Sequence, residues 1–204
     1  MNPTDFDAKA ATWDDDPAKR DRALRVAEAI AAAVPDLASR EVLEYGAGTG
    51  LLGFALLPLA RRVTLADSSR EMLAVADRKA AALGAGPDRL ATRLLDLTAG
   101  ALPPERYGLV CNLMVLHHLP DTEAALRSFH ALLAPGGAVA LCDLEAEDGS
   151  FHGAGVDVHH GFDPARLVRQ LEAAGFQEVS SRRVMTMQKD GRSFPLFLAI
   201  GRRA

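Results

Sequence analysis

Residues Val42 to Gly53 read Val-Leu-Glu-Tyr-Gly-Ala-Gly-Thr-Gly-Leu-Leu-Gly, and this stretch constrains the fold more than any other. An apolar run ends in glycines and passes directly into a helical pattern. Strand, tight glycine loop and helix is the arrangement that places a nucleotide-like ligand at the end of a parallel sheet. The glycines are needed twice over: the loop requires backbone angles that a Cβ forbids, and the ligand must lie against bare backbone. The helix from Leu51 turns its unpaired N–H groups toward the same loop.

The rest of the chain repeats this alternation. Ala23, Leu24, Ala27, Ile30, Ala31 and Val34 recur at helical spacing, so 18–34 is an amphipathic helix stopped by Pro35. Strands are expected at 41–45, 62–66, 90–95, 109–114 and 138–142, with helices at 51–59, 69–83, 121–133 and 163–174. Pro135-Gly136-Gly137 reads as the turn before the fifth strand. Asp163 and Pro164 mark the start of the last helix. Two extended runs, 177–187 and 193–200, flank Asp190-Gly191, a hairpin signal. The expected fold is α/β: a Rossmann-like, doubly wound sheet of seven strands, mostly parallel, with a C-terminal antiparallel hairpin strand and an N-terminal helix. Residues 1–204 read as a single domain, with 1–35 an arm and helix covering the site. Phe6 and Trp13 stand out in that otherwise polar lead, either pinning the arm or covering a ligand.

Composition narrows the partners. The 204 residues are 49% hydrophobic and 25% charged, with a net charge of −4. That is a globular composition, and it lacks the basic footprint of a nucleic-acid binder. Arg61-Arg62, Arg182-Arg183 and Arg202-Arg203 are short surface pairs. Cys111 and Cys142 lie in apolar runs and read as buried free thiols. The N-terminus is acidic and polar, and no apolar run reaches the length of a membrane span. These features point to a cytoplasmic protein acting on a small molecule, with no nucleic-acid or membrane partner. Oligomeric state is not legible.

The glycines alone fit two cofactors. Gly48-Thr49-Gly50-Leu51-Leu52-Gly53 matches the dinucleotide pattern G-x-G-x-x-G, with Asp67 19 residues beyond Gly48. Gly46-Ala47-Gly48-Thr49-Gly50, with Glu44 inside the preceding strand, matches the loop that holds S-adenosylmethionine (SAM). Ligands in such sheets lie at the carboxyl ends of the strands. There the chain places Asp67, suited to a ribose diol, Asp96, suited to an adenine amine, and Asn112 followed by Leu116-His117-His118-Leu119-Pro120.

Taken in order, these segments resemble the class I SAM-dependent methyltransferases, the UbiE-like or type 11 group above all. Val42–Gly50 looks like the first motif of that family. Leu65-Ala66-Asp67-Ser68-Ser69-Arg70-Glu71-Met72-Leu73 is similar to the second, Leu95-Asp96-Leu97 to the third, and Val115–Asp121 to the segment after strand four. Leu133-Ala134-Pro135-Gly136-Gly137 and Leu171–Phe176 complete the series. The resemblance implies SAM as cofactor and S-adenosylhomocysteine (SAH) as product. It implies that Glu44 orients the loop or meets the methionine ammonium, and that Gly46, Ala47, Gly48 and Gly50 contact methionine and ribose through backbone. Asp67, with Ser68 beside it, would take the ribose hydroxyls. Met72, Asp96 and Leu97 would frame the adenine, and Asn112 would meet the SAM amino acid or the reaction centre. Gly108 stands where many relatives carry Asp. The alternatives are a nicotinamide-dependent oxidoreductase, which would lack any Tyr-x-x-x-Lys pair here, and a SAM-binding protein without catalysis.

Methyl transfer from a sulfonium has a good, neutral leaving group, so alignment and desolvation dominate. A base is needed only if the acceptor must lose a proton. His117 and His118 are the candidates at the mouth of the site. Gly149–Gly161 holds His152, His159 and His160 among glycines and reads as a lid or substrate wall, with His159 and His160 as further catalytic candidates. Their spacing is not the His-x-x-x-His of a helical metal site, and no metal is expected.

Overall fold

The computed structural model describes residues 6–98, 102–153 and 155–204. The first five residues of the expected arm and Ala154 of the expected lid therefore lie outside the described residues.

Helix α1 (Pro17–Ala33) opens with Asp16 accepting a hydrogen bond from the Ala18 N–H and with proline at its first position, the two features that start a helix cheaply. Strands β1 (Glu41–Tyr45), β2 (Arg62–Asp67), β3 (Leu90–Leu94), β4 (Tyr107–Leu113) and β5 (Leu133–Leu144) alternate with α2 (Leu51–Leu56), α3 (Arg70–Ala82) and α4 (Thr122–Leu132). Helix α5 (Pro164–Ala173) then leads into the hairpin of β6 (Gln177–Lys189) and β7 (Arg192–Arg202). The seven strands form one sheet in the order β3-β2-β1-β4-β5-β7-β6. The first five pair in parallel, and β7 enters antiparallel between β5 and β6. This is the expected Rossmann-like, doubly wound sheet. Asp190 and Gly191, both at positive φ, make the two-residue turn of the hairpin.

Strand alternation sends apolar side chains to both faces. Val42, Val63, Leu65, Leu109 and Ala140 pack beneath α1 and α2, while Leu43, Val110, Val139, Leu141 and Phe197 pack beneath α4 and α5. Cys111 and Cys142 are buried and free. Pro135-Gly136-Gly137 is not a turn before the strand but part of it: β5 begins at Leu133. Its pairing with β4 jumps from Tyr107↔Leu133 to Leu109↔Ala138, so the Pro-Gly-Gly segment bulges out of a ladder that has already started. Proline offers no ladder N–H, and Gly136 at φ +74° takes the kink.

Strand order reverses between β1 and β4. The crevice at the carboxyl ends of these two strands is where such sheets bind ligands, and it is floored by the glycine loop after β1 and the turn after β4.

Candidate active site

The loop after β1 is built to leave backbone bare. Gly46, Gly48 and Gly50 all have positive φ. A side chain at Gly46 would run into Val115, and one at Gly50 would meet Leu65 and Phe54. Gly48 differs: a Cβ there would stand 3.7 Å from the Trp13 Nε1 and 3.8 Å from the Met72 Sδ. It would fill open space between an aromatic ring and a thioether, which is the cradle that an adenosyl group needs.

Acidic side chains hold the loop in this shape. Glu44, inside β1 and 3% exposed, accepts the Gly53 N–H at 2.7 Å. Burial pushes its carboxyl up to about 8. Of the two roles foreseen for Glu44, the structure displays the orienting one. Asp67, at the end of β2, accepts the Gly48 N–H at 2.7 Å through one oxygen and the Ser69 N–H at 2.8 Å through the other. Burial raises its carboxyl also, against those two hydrogen bonds. Asp96 spends one oxygen on the Thr98 N–H and hydroxyl.

A cavity of about 720 Å³ runs from this loop to the far end of the sheet. Glu44, Gly46, Ala47, Gly48, Asp67, Ser68, Met72 and Asp96 line its near end. Gly50, Leu97 and Asn112 do not line it. Gly50 is the left-handed N-cap of α2, and the Leu97 N–H donates to the Tyr45 hydroxyl at 3.4 Å. Asn112 is fully buried, and neither atom of its amide finds a partner among the described residues.

The N-terminal arm closes the near end. Phe6 and Trp13 line the cavity and pack edge to face, with ring centres 6.0 Å apart. Asp14 accepts from the Thr49 hydroxyl at 2.5 Å and from the Lys79 ammonium at 2.7 Å, and the Ser69 hydroxyl donates to Asp7. The arm is thus pinned to the glycine loop, and Phe6 and Trp13 face the cavity.

The far end is histidine-rich. The turn Leu116–His118 follows β4. His117 is buried, and its Nδ1 lies 2.6 Å from Asp143 Oδ1 in β5. Asp143, wholly buried, also accepts the backbone N–H groups of His117 and Leu144. The second ring nitrogen of His117 faces His152 across 3.0 Å, Nε2 to Nε2. His118 stacks on His117 with ring centres 4.1 Å apart. Burial pushes His118 down to about 3 and His152 down to about 4.

The described residues of 149–161 contribute to the wall of the cavity. Phe151 is buried, the His159 N–H donates to the His117 carbonyl, and Glu145 bridges to Phe162. Phe151, His152, Asp157, Val158 and His159 line the cavity. His159 directs its Nε2 at the Leu119 carbonyl, 3.0 Å away, and so fastens wall to turn. His160 is the correction. It lies outside the cavity lining, its ring covers Gly149, and its carbonyl accepts the Glu147 N–H. Backbone hydrogen bonds from Phe162 to Leu144 and from Ala146 to Phe162 hold this stretch against the end of β5, and Gly161 between them has a positive φ.

Asp143, Met114 and the tip of the hairpin went unread in the sequence. Asp143 follows the expected strand 138–142 just as Asp67 follows 62–66 and Asp96 follows 90–95, and that parity is a usable signal. Met114, at φ +60° in the cavity wall, and Met187, Gln188 and Lys189, which reach the cavity from β6, left none. Arg22 of α1 also lines the cavity, and its guanidinium donates to the Met187 Sδ at 3.0 Å.

Fold and site together define a class: a doubly wound sheet with a SAM-type glycine loop and acids at the ends of β2 and after β3. The chain matches the methyltransferase-domain family model over residues 18–181; it belongs to that family, the class I SAM-dependent methyltransferases, whose methyl donor is SAM and whose product is SAH. The nicotinamide alternative falls with that assignment. Among sequences, it is 32% identical over 156 residues to a ubiquinone biosynthesis O-methyltransferase of Xanthomonas euvesicatoria pv. vesicatoria (strain 85-10), covering 70% of this chain and 64% of that one. The next two curated relatives are covered over 52% and 64% of their lengths, so this chain spans less than two thirds of each. Among structures, a DhpI–SAM–HEP complex is 26% identical with a TM-score of 0.73, covering 96% of this chain and 94% of that one. The N-methyltransferase NodS from Bradyrhizobium japonicum WM9, in complex with SAH, shares the fold at 20% identity and a TM-score of 0.74, over 98% and 97% of the two chains.

Proposed function

We propose that this chain transfers the methyl group of SAM, in line, to a small-molecule acceptor held at the histidine end of the same cavity. The observation that carries the reading is the continuity of one 720 Å³ cavity from the glycine loop to His117, His118 and His152, a volume in the usual range for small-molecule sites of about 300–1,000 Å³. SAM supplies an electrophilic methyl on a sulfonium. The chain supplies position and dryness. In this reading Gly46, Ala47, Gly48 and Gly50 present backbone to methionine and ribose, with Glu44 fixing the loop. Asp67 and Ser68 take the ribose, and Met72, Asp96 and Leu97 frame the adenine. Asn112, just behind the lining, serves the amino-acid end: its amide has no partner among the described residues and is left for a ligand that reaches it. Phe6, Trp13 and Phe151 exclude water, which strengthens every polar contact inside.

Of the four catalytic candidates, His117 and His118 take the direct role. His159 holds the wall in place, and His160 has none. The acceptor reading draws on the relatives as well: the Xanthomonas enzyme is named for O-methylation in ubiquinone biosynthesis, and NodS for N-methylation. A net charge of −4 and a cavity of this size speak for a metabolite over nucleic acid. Among the described residues no helix is long and apolar enough to cross a membrane, consistent with a cytoplasmic setting. We read 1–204 as one domain with 1–35 as cover. The test is incubation with methyl-labelled SAM and fractionated cell extract. Label in the small-molecule fraction is expected; label confined to protein or nucleic acid would refute the acceptor class, and SAM binding with no transfer would favour the non-catalytic reading.

A further inference from the structure

The far end of the cavity holds more than a pair of candidate bases. One ring nitrogen from each of His117, His118 and His152 lies within 4.8 Å of the other two. Two of them, the Nε2 atoms of His117 and His152, are 3.0 Å apart. The His118 Nδ1 is buried with no hydrogen-bond partner among the described residues. His117 is oriented from behind by Asp143, itself wholly buried and fixed by two backbone N–H groups. Three converging imidazoles, an orphaned ring nitrogen and a carboxylate behind one ligand form a constellation with a common purpose.

We propose that His117, His118 and His152 bind one divalent transition-metal ion, with Asp143 as the outer partner of His117 and an open position facing the acceptor. Imidazole donors suit zinc, copper, iron and nickel, and three histidines with one open position form the donor set of a catalytic zinc. Zinc–nitrogen bonds of about 2.0–2.1 Å place the ligands of a tetrahedral ion about 3.4 Å apart. The His117–His152 pair already stands near that separation, and His118 reaches it by a side-chain adjustment on an adjacent residue. The carboxylate–histidine–metal relay fixes the tautomer and orientation of the inner ligand, which is the service that Asp143 performs for His117.

The consequence for catalysis rests on the acceptor reading above; the metal site itself does not. An ion here would polarise an oxygen donor at the open position, so the acceptor chemistry that fits is a hydroxyl. The wall supplies one ligand, His152, and the turn after β4 the other two.

The test uses the full chain without an affinity tag, stripped with a chelator and titrated with Co²⁺, then with Zn²⁺ in competition. One equivalent of Co²⁺ is expected to bind with the visible absorption of a tetrahedral nitrogen site and to be displaced by Zn²⁺. His152→Gln should abolish that band, and Asp143→Asn should weaken binding by about tenfold or more. Absence of stoichiometric Co²⁺ binding by the wild type, or a band untouched by His152→Gln, would overturn the proposal and leave the 3.0 Å contact as a hydrogen bond between the two imidazoles. SAM affinity and label transfer on the same samples separate that failure from failure of the methyltransferase reading.

Discussion

Asp67 bridges the two halves of the cofactor end: one carboxylate oxygen takes the Gly48 N–H at 2.7 Å and the other the Ser69 N–H at 2.8 Å. A single residue at the end of β2 thus sets both the glycine loop after β1 and the start of α3. Asp67→Ala removes two charge-assisted hydrogen bonds, each worth about 1.5–3 kcal/mol. SAM affinity measured by calorimetry is expected to fall by about tenfold or more, with a smaller loss of melting temperature.

Glu44 makes the stability of the ligand-free protein depend on pH. Burial is the main cause of its raised carboxyl, with Asp67 adding to it and the Gly53 N–H and Lys79 opposing. A folded value of about 8 against an ordinary 4.5 means that the folded state holds the proton more tightly than the unfolded one. The contribution is therefore fully present below pH 4.5 and is lost as pH rises to about 8, at up to about 1.4 kcal/mol per pH unit. Denaturant titrations across that window should show this loss in the wild type and not in Glu44→Gln.

Gly50 has no freedom to carry a side chain. Its φ is +85°, and a Cβ would lie 2.7 Å from the Leu65 side chain. Left-handed backbone costs an ordinary residue about 1–2 kcal/mol, and the contact adds to it. Gly50→Ala should lose about 2 kcal/mol or more in chemical denaturation, whereas Gly191→Ala, at a tip with open space around it, should lose only the backbone share.

Asn112 is a buried amide, neither atom of which has a partner among the described residues, a situation that costs about 1–3 kcal/mol. Asn112→Leu should raise the melting temperature of the ligand-free chain. If the amide serves the cofactor, the same substitution lowers SAM affinity; higher stability with unchanged affinity would remove Asn112 from the site.

His160→Ala is expected to leave turnover unchanged, because the ring lies over Gly149 and not in the cavity. His152→Ala should reduce turnover sharply. Steady-state rates with any acceptor that accepts label check the contrast.

The cofactor end was legible and the acceptor end only partly so, for a physical reason. The residues at the glycine loop, Asp67 and Asp96 are each attached to the end of a strand, and strand ends in a parallel sheet are brought together by the topology itself. A reader who finds the strands has found the residues. His117 and His118 were visible by the same rule. His152, by contrast, reaches His117 across 35 residues of chain through a loop whose path depends on the Glu145–Phe162 bridge and the burial of Phe151. Periodicity carries no information about such a path, so choosing among His152, His159 and His160 required coordinates. The Pro135–Gly137 bulge was misread as a turn because the same residues favour both, and only pairing with Tyr107 tells them apart.

In the proposed function one cavity serves both substrates, with a cofactor end held by the glycine loop and the arm and an acceptor end formed by the histidines. Isothermal titration of SAH into the wild type, Asp67→Ala, Trp13→Ala and His152→Ala tests it most directly. The account predicts tight binding by the wild type and His152→Ala and weakened binding by Asp67→Ala and Trp13→Ala. Equal losses in all three variants, or full affinity in Asp67→Ala, would contradict it.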